Sequence, residues 1–259
     1  MTISSIKNPQ VKYLKQLQSK SKLRTKDNCF VVEGVREITM ALKYGYQFKS
    51  ILIADELYKA ELSFPIDVEV IKISNAVYEN LAYRSSTEGI IGLCESKSHG
   101  LSNLIFKNST PLVLVLESPE KPGNIGAILR TADASGVDAI IIANLRTDLY
   151  NPNTIRSSLG AIFTNQLVVA SSKEVIQFLQ DQQIQMYSAT LQNSNSYLKH
   201  DYTKPTAFIM GSEAYGLTDI WRNRKDIQAI NIPMQGDIDS MNLSVSTAIL
   251  TFEAVRQRS

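Results

Sequence analysis

Pro111-Leu-Val-Leu-Val-Leu-Glu117 leads through the loop Ser118-Pro-Glu-Lys-Pro-Gly-Asn124 into Ile125-Gly-Ala-Ile-Leu-Arg130. The first run is apolar at almost every position, the pattern of a strand buried on both faces, and such strands belong to parallel sheets covered by helices. The second run predicts a helix over 125–135, stopped by Gly136. The same alternation repeats downstream. Strands are expected at 139–143, 165–169, 185–190, 206–210 and 227–232, and helices at 153–159, 172–180 and 242–256. This is an α/β fold, a mostly parallel sheet with helices on both faces.

Upstream, Cys29-Phe-Val-Val-Glu33 reads as a strand, and 35–44 as a helix ended by Gly45. Strands at 50–54 and 68–71, a helix at 75–82 and a strand at 89–94 complete a smaller N-terminal α/β domain. The expected division is 1–97 for a basic arm and first domain, 98–110 for a linker from which 104–107 can dock back, and 111–259 for the second domain. With 259 residues, 44% of them hydrophobic, the chain is long enough for two packed cores and too apolar for disorder. No apolar run approaches the roughly 20 residues that cross a bilayer, and no signal-peptide pattern opens the chain. A cytoplasmic protein without membrane contact is therefore expected. The two cysteines, Cys29 and Cys94, read as buried free thiols, with a disulfide or metal site as the other possibility. Only His99 and His200 are present, without zinc-type spacing. No metal is expected, and a histidine-centred active site is disfavoured.

Net charge is only +2, yet residues 1–26 hold Lys7, Lys12, Lys15, Lys20, Lys22, Arg24 and Lys26 and no acid. That is either an electrostatic footprint for phosphate backbones or a solvated helix face. Leu14, Leu17 and Leu23 show that part of the segment packs on something.

Three Gly- and polar-rich islands each follow an apolar strand, which implies one site at the strand ends of the sheet. In Pro122–Arg130, the backbone at the start of the helix favours anions. Arg130 lies away from the apolar face, where it holds a phosphate or carboxylate or forms a surface ion pair. The spacing is neither a dinucleotide fingerprint nor a P-loop. In Gly211-Ser-Glu-Ala-Tyr-Gly216, Glu213 is either a site carboxylate or a first-turn acid, and the spacing is not that of a nucleophile elbow. In Ile232-Pro-Met-Gln-Gly-Asp-Ile-Asp-Ser-Met-Asn242, Asn242 is placed to cap the last helix, and Ser240 to bond its own loop.

Asn124-x-Gly126-x-x-x-Arg130, Gly211-Ser-Glu213-x-x-Gly216 and Ile232-Pro-Met…Ser240-x-Asn242 together resemble the three ordered motifs of the SpoU-type RNA 2′-O-ribose methyltransferases of the SPOUT superfamily. The likeness covers 111–259. Phe30-Val-Val-Glu33-Gly34 and Ser85-Ser-Thr87-Glu88-Gly89-Ile90 resemble the family's ribosomal-protein-like RNA-binding domain, with Glu88 where relatives often carry glutamine and Met241 where leucine is usual. The resemblance implies a C-terminal trefoil knot, which the connection rules alone would not predict. It also implies S-adenosylmethionine as cofactor and a homodimer through the C-terminal domain. Carried over, Gly211, Ile232 and Met241 hold the cofactor, mainly through backbone groups, with Thr190, Pro233 and Met234 as nearby wall. Asn124, Arg130, Glu213, Ser240 and Asn242 form the catalytic set. Lys12, Lys22, Lys26, Arg24 and Arg84 are expected to contact RNA.

A guanidinium stays protonated at neutral pH, so Arg130 is expected to grip the target phosphate rather than to act as a base, with Glu213 orienting Arg130 or Asn124. Ribosomal RNA of the 23S type is the expected substrate. A tRNA ribose methylase and a non-catalytic RNA-binding protein on the same fold are the alternatives. A nicotinamide dehydrogenase is disfavoured, because no Gly-x-Gly-x-x-Gly turn follows Leu116.

Overall fold

The computed structural model describes residues 2–83, 88–238 and 240–259. The chain divides into two compact units, residues 1–98 with 148–164, and residues 99–147 with 165–259.

The first unit is built on a mixed sheet of β1 (Thr2–Ile3), β2 (Cys29–Glu33), β3 (Phe48–Ile53), β4 (Glu69–Ile73) and β5 (Ile90–Glu95), in the order β1-β4-β3-β5-β2. Strand β4 runs parallel to β1 and β3, while β5 is antiparallel to β3 and β2. Cys29 and Cys94 lie on the paired strands β2 and β5 one residue out of register and so point to opposite faces of the sheet, both buried and both free thiols. The basic N-terminal segment folds into two helices, Pro9–Ser19 and Ser21–Asp27. The first begins where Asn8 accepts a hydrogen bond from the Gln10 amide and where proline, which has no N–H to lose, is tolerated. Val11, Leu14 and Leu17, spaced by three, face the core with Val31, Leu52 and Tyr78. Lys12, Lys22 and Lys26 are exposed on the outer side.

Two expectations are corrected here. Arg24 does not face solvent with the lysines. It is 4% exposed, pairs with Asp148, and donates to the backbone carbonyls of Leu17 and Gln18. It closes the inner side of the helix pair and is unavailable to a phosphate. The segment 148–164, expected within the second domain, packs with the first unit. The reason is aromatic: Tyr150 stacks on Phe30 at 3.9 Å, and Phe163 meets Tyr46 edge-on at 4.9 Å. Arg84 lies outside the described residues.

The second unit holds β6 (Leu112–Glu117), β7 (Ala139–Ala143), β8 (Leu167–Ala170), β9 (Gln185–Ala189), β10 (Asn195–Ser196), β11 (Thr206–Met210) and β12 (Ile227–Asn231). All pairings are parallel, in the order β10-β12-β9-β11-β6-β7-β8. Val113 and Val115 join a core with Val175, Ile176 and Leu179 of helix Ser172–Asp181 and with Trp221. Leu112, Leu114 and Leu116 point to the other face and are also buried. The sheet is thus covered on both sides, as its apolar strands require. Helix Pro122–Ser135 starts three residues earlier than expected, with Pro122 in its first turn, and ends at Gly136 with φ of 70°. Helix Leu243–Arg258 packs against it and against β11. The expected linker is not free: Leu101, Leu104 and Phe106 pack on the core of this unit, and the His99 carbonyl accepts from the Val169 amide.

Replacing Asp148 with alanine leaves the Arg24 guanidinium buried without its counter-ion. A loss of about 3–5 kcal/mol in urea-denaturation stability is expected, and an unchanged midpoint would show that the pair is dispensable.

Candidate active site

The C-terminal ends of β9, β11 and β12 open onto a cavity of about 600 Å³. This is where ligands bind in open α/β sheets, and the size suits a small cofactor. Nine of the eleven residues expected at the catalytic and cofactor site line it: Thr190 after β9, Gly211 and Glu213 after β11, Ile232, Met234, Ser240, Met241 and Asn242 after β12, and Asn124 at the start of helix Pro122–Ser135.

Each loop has a local reason for its shape. Gly211 is forced by close approach, since a Cβ there would sit 2.2 Å from the Gly216 carbonyl carbon and 2.4 Å from the Leu217 nitrogen. The chain doubles back because Ser212 and Gly216 exchange backbone hydrogen bonds of 3.1 and 3.0 Å, with Gly216 at φ 65°. Behind the turn, buried Glu117 at the end of β6 accepts from the Thr218 amide (2.8 Å), the Thr218 hydroxyl (2.6 Å) and the Ser172 hydroxyl (3.2 Å). Ser172 in turn accepts from the Trp221 indole at 3.2 Å. Glu117 therefore ties the loop after β11 to β6, a role that its place at the end of an apolar strand did not announce.

Glu213 is the centre of the polar wall. Its carboxylate accepts from Asn124 Nδ2 at 2.7 Å and from the backbone amides of Glu120 and Lys121 at 3.2 and 3.4 Å. Partial burial pushes its pKa up, but the hydrogen bonds from Asn124 and from the backbone outweigh this and hold the carboxyl below its ordinary 4.5. It is ionised at neutral pH. Asn124 Oδ1 accepts from Asn242 Nδ2 at 3.2 Å, and Asn242 Oδ1 accepts from the amide and hydroxyl of Ser244 at 2.9 and 2.6 Å. Asn242 thus caps the last helix and continues the row at once. The three residues use different amounts of their capacity. Among the described residues, Asn124 keeps one N–H and one lone pair, and Asn242 keeps one N–H, for a substrate.

Two expected residues lie elsewhere. Arg130 is exposed and does not line the cavity. It follows Asn124 by six residues, which carries it about 9 Å along the helix and about 240° around it. Pro233 borders a shallower neighbouring hollow with Leu191, Gly236 and Ile238. Lining residues not expected from the sequence are Lys121, Gln192, Tyr215, Arg222, Ser246 and the apolar wall of Leu217, Ile230 and Leu250. Gln192 follows the predicted strand end at Thr190, which was the one signal for it. Neither histidine lines the cavity. Arg222 is held by Asp219 at 3.1 Å.

Gly211→Ala should lower affinity for S-adenosylmethionine in isothermal titration and cost about 1–3 kcal/mol of stability, because backbone must move to admit the methyl. Wild-type affinity would contradict this geometry. Since the Glu213 pKa is depressed on folding, its stabilisation is present above pH 4.5 and is lost as pH falls below that value. Urea denaturation at pH 7 and pH 3.5 should show a smaller acid loss in Glu213→Gln than in the wild type.

Known proteins resemble this chain along both parts of its length. The model of the SpoU rRNA Methylase family matches residues 111–252, and that of the MRM3-like substrate binding domain matches residues 8–92. The 23S rRNA (guanosine(2553)-2′-O)-methyltransferase RlmP of Bacillus subtilis is 28% identical over 96% of this chain and 97% of its own. The 23S rRNA (uridine(2479)-2′-O)-methyltransferase of Streptomyces viridochromogenes is 30% identical over 91% of this chain and 85% of its own. Among solved structures, the AdoMet-bound rRNA methyltransferase from Sinorhizobium meliloti superposes with a TM-score of 0.88 at 27% identity, covering 99% of this chain and 97% of that one. The chain belongs to the SpoU rRNA Methylase family.

Proposed function

We propose that the protein is an S-adenosylmethionine-dependent methyltransferase that methylates a ribose 2′-OH of 23S-type ribosomal RNA. The observation that carries this reading is the hydrogen-bonded row Glu213–Asn124–Asn242, drawn from three separate loops into one cavity at the strand ends. The rRNA substrate is favoured over tRNA by the names of the two relatives that align along most of the chain.

The residues present fit the cofactor. The cavity offers an apolar wall at Leu217, Ile230 and Ile232 for an adenine, a polar wall for the amino-acid end, and the close approach at Gly211 that leaves backbone groups open to a ligand. When bound, S-adenosylmethionine supplies an electrophilic methyl group on a sulfonium. The protein's own contribution is orientation. Ionised Glu213 fixes the Asn124 amide, and Asn124 and Asn242 present their spare hydrogen-bonding groups to the ribose. Ser240 and Met241 close the same wall. Arg130 stands outside this cavity, and from the exposed side of its helix its planar fork grips the target phosphate, while a phosphate oxygen or a bound water takes the hydroxyl proton.

Lys12, Lys22 and Lys26 on the outer side of the N-terminal helices supply salt-sensitive phosphate contacts. We assign the active form as a homodimer in the cytoplasm, where ribosomal RNA is modified. Exposed Val245 and Phe252 on helix Leu243–Arg258 support a second copy against this helix, 47% and 49% exposed as they are. The knot implied by the family likeness is part of the same reading, and the insertion of β12 between β9 and β10 supports it. No helix among the described residues is long and apolar enough to cross a membrane.

The test is transfer of tritiated methyl to an unmodified 23S rRNA transcript and, in parallel, to unmodified tRNA, followed by alkaline hydrolysis. A 2′-O-methyl group blocks cleavage on its 3′ side, so the label should appear in one alkali-resistant dinucleotide. Label on tRNA instead would favour the tRNA alternative, and no label on either would favour the non-catalytic one. Arg130→Ala should lower turnover about a hundredfold, and Arg130→Lys should not restore it, since lysine lacks the fork. Near-normal turnover of the lysine variant would overturn the grip.

A further inference from the structure

Tyr215 is an exposed aromatic ring at the rim of a cavity whose other exposed lining is mostly polar. The residue is 78% accessible, yet it lines the same cavity as Asn124, Glu213 and Asn242. Among the described residues it makes no side-chain hydrogen bond and no ring contact. Its backbone, by contrast, is held. The Tyr215 amide donates to Ser212 Oγ at 3.2 Å, inside the turn that Ser212 and Gly216 close with two backbone bonds. A large ring on a tightly pinned loop is exposed without being mobile at its root, which keeps the entropic cost of using it for binding small.

Its distance from the chemistry is limited by the chain itself. Tyr215 follows Glu213 by two residues, so their Cα atoms are at most about 7 Å apart. A nucleotide whose ribose reaches the Glu213–Asn124–Asn242 row can place its base beside this loop. Apolar wall for a cofactor lies deeper, at Ile230, Leu217 and Leu250, all of them buried. On the rim, Lys121 is exposed and forms no ion pair among the described residues, so a cation stands ready for the phosphate of the same strand. Aromatic rings bind unstacked RNA bases by stacking, with little dependence on which base it is.

We propose that Tyr215 is the platform on which the nucleobase of the target nucleotide stacks. This rests on the methyl-transfer reading above and adds the residue that seats the base. The ring, not the hydroxyl, does the work. A base stacked there turns its sugar edge toward Asn124 and Asn242.

The test compares wild type, Tyr215→Ala and Tyr215→Phe with an unmodified 23S rRNA transcript as substrate, together with S-adenosylmethionine affinity and sedimentation. Tyr215→Ala should raise KM for the transcript about tenfold, the worth of one base–aromatic stack, and leave cofactor affinity unchanged. Tyr215→Phe should behave as wild type. A wild-type KM in Tyr215→Ala overturns the platform while leaving methyl transfer intact. Equal damage in the Phe variant overturns it in favour of the hydroxyl. A change of oligomeric state in Tyr215→Ala overturns it in favour of a contact between copies. If the wild type itself transfers no methyl to the transcript, the functional reading fails and the platform fails with it.

Discussion

One carboxylate holds the candidate site together. Glu213 gathers the Asn124 amide and two backbone N–H groups from the loop after β6, and Asn124 passes the link to Asn242. Asn124 and Glu213 are 89 residues apart, and Asn124 and Asn242 are 118 apart, so no local preference brings them together. A charged acceptor makes the shortest and strongest of these bonds. Hydrogen bonding outweighs the cost of burying the charge, which is why the carboxyl stays ionised rather than taking up a proton. Glu117, buried inside the unit, ties down the root of the loop through the amide and hydroxyl of Thr218.

The sheet decides where such a row can form. In a parallel sheet all strands end on the same side, so the loops after β6, β9, β11 and β12 emerge together. Short strands and tight turns then leave backbone groups facing the cavity, and Gly211 marks the place where one turn passes too close for any side chain. The chemistry that results relies on placement. The lining carries amides, hydroxyls and an ionised carboxylate but neither histidine, which suits the seating of a hydroxyl beside a reactive methyl better than a histidine-driven hydrolysis.

The first unit shows the limit of charge counting. Seven basic residues in the first 26 read as a uniform cationic arm, yet Arg24 is drawn inward by Asp148 and by helix carbonyls while the lysines stay outside. Lysine and arginine are not equivalent in this respect. The guanidinium is the less strongly hydrated cation and can satisfy several acceptors when buried. Nothing local in the sequence distinguishes Arg24 from its neighbours, because its partner lies 124 residues away.

The amino-acid sequence by itself determined the α/β class, the buried parallel strands, the helix stop at Gly136 and the three polar islands, because periodicity, glycine and proline act over a few residues. Through its likeness to a known family it also pointed to Asn124, Glu213, Ser240 and Asn242, which line one cavity. Tertiary structure alone decided that Arg130 leaves the cavity on the turn of its helix. It alone assigned 148–164 to the first unit through Tyr150 and Phe163, and made Glu117 an anchor and Tyr215 a rim residue. These depend on which distant surfaces meet, and contact between residues a hundred positions apart is set by the packing of whole elements rather than by the pattern within any one of them.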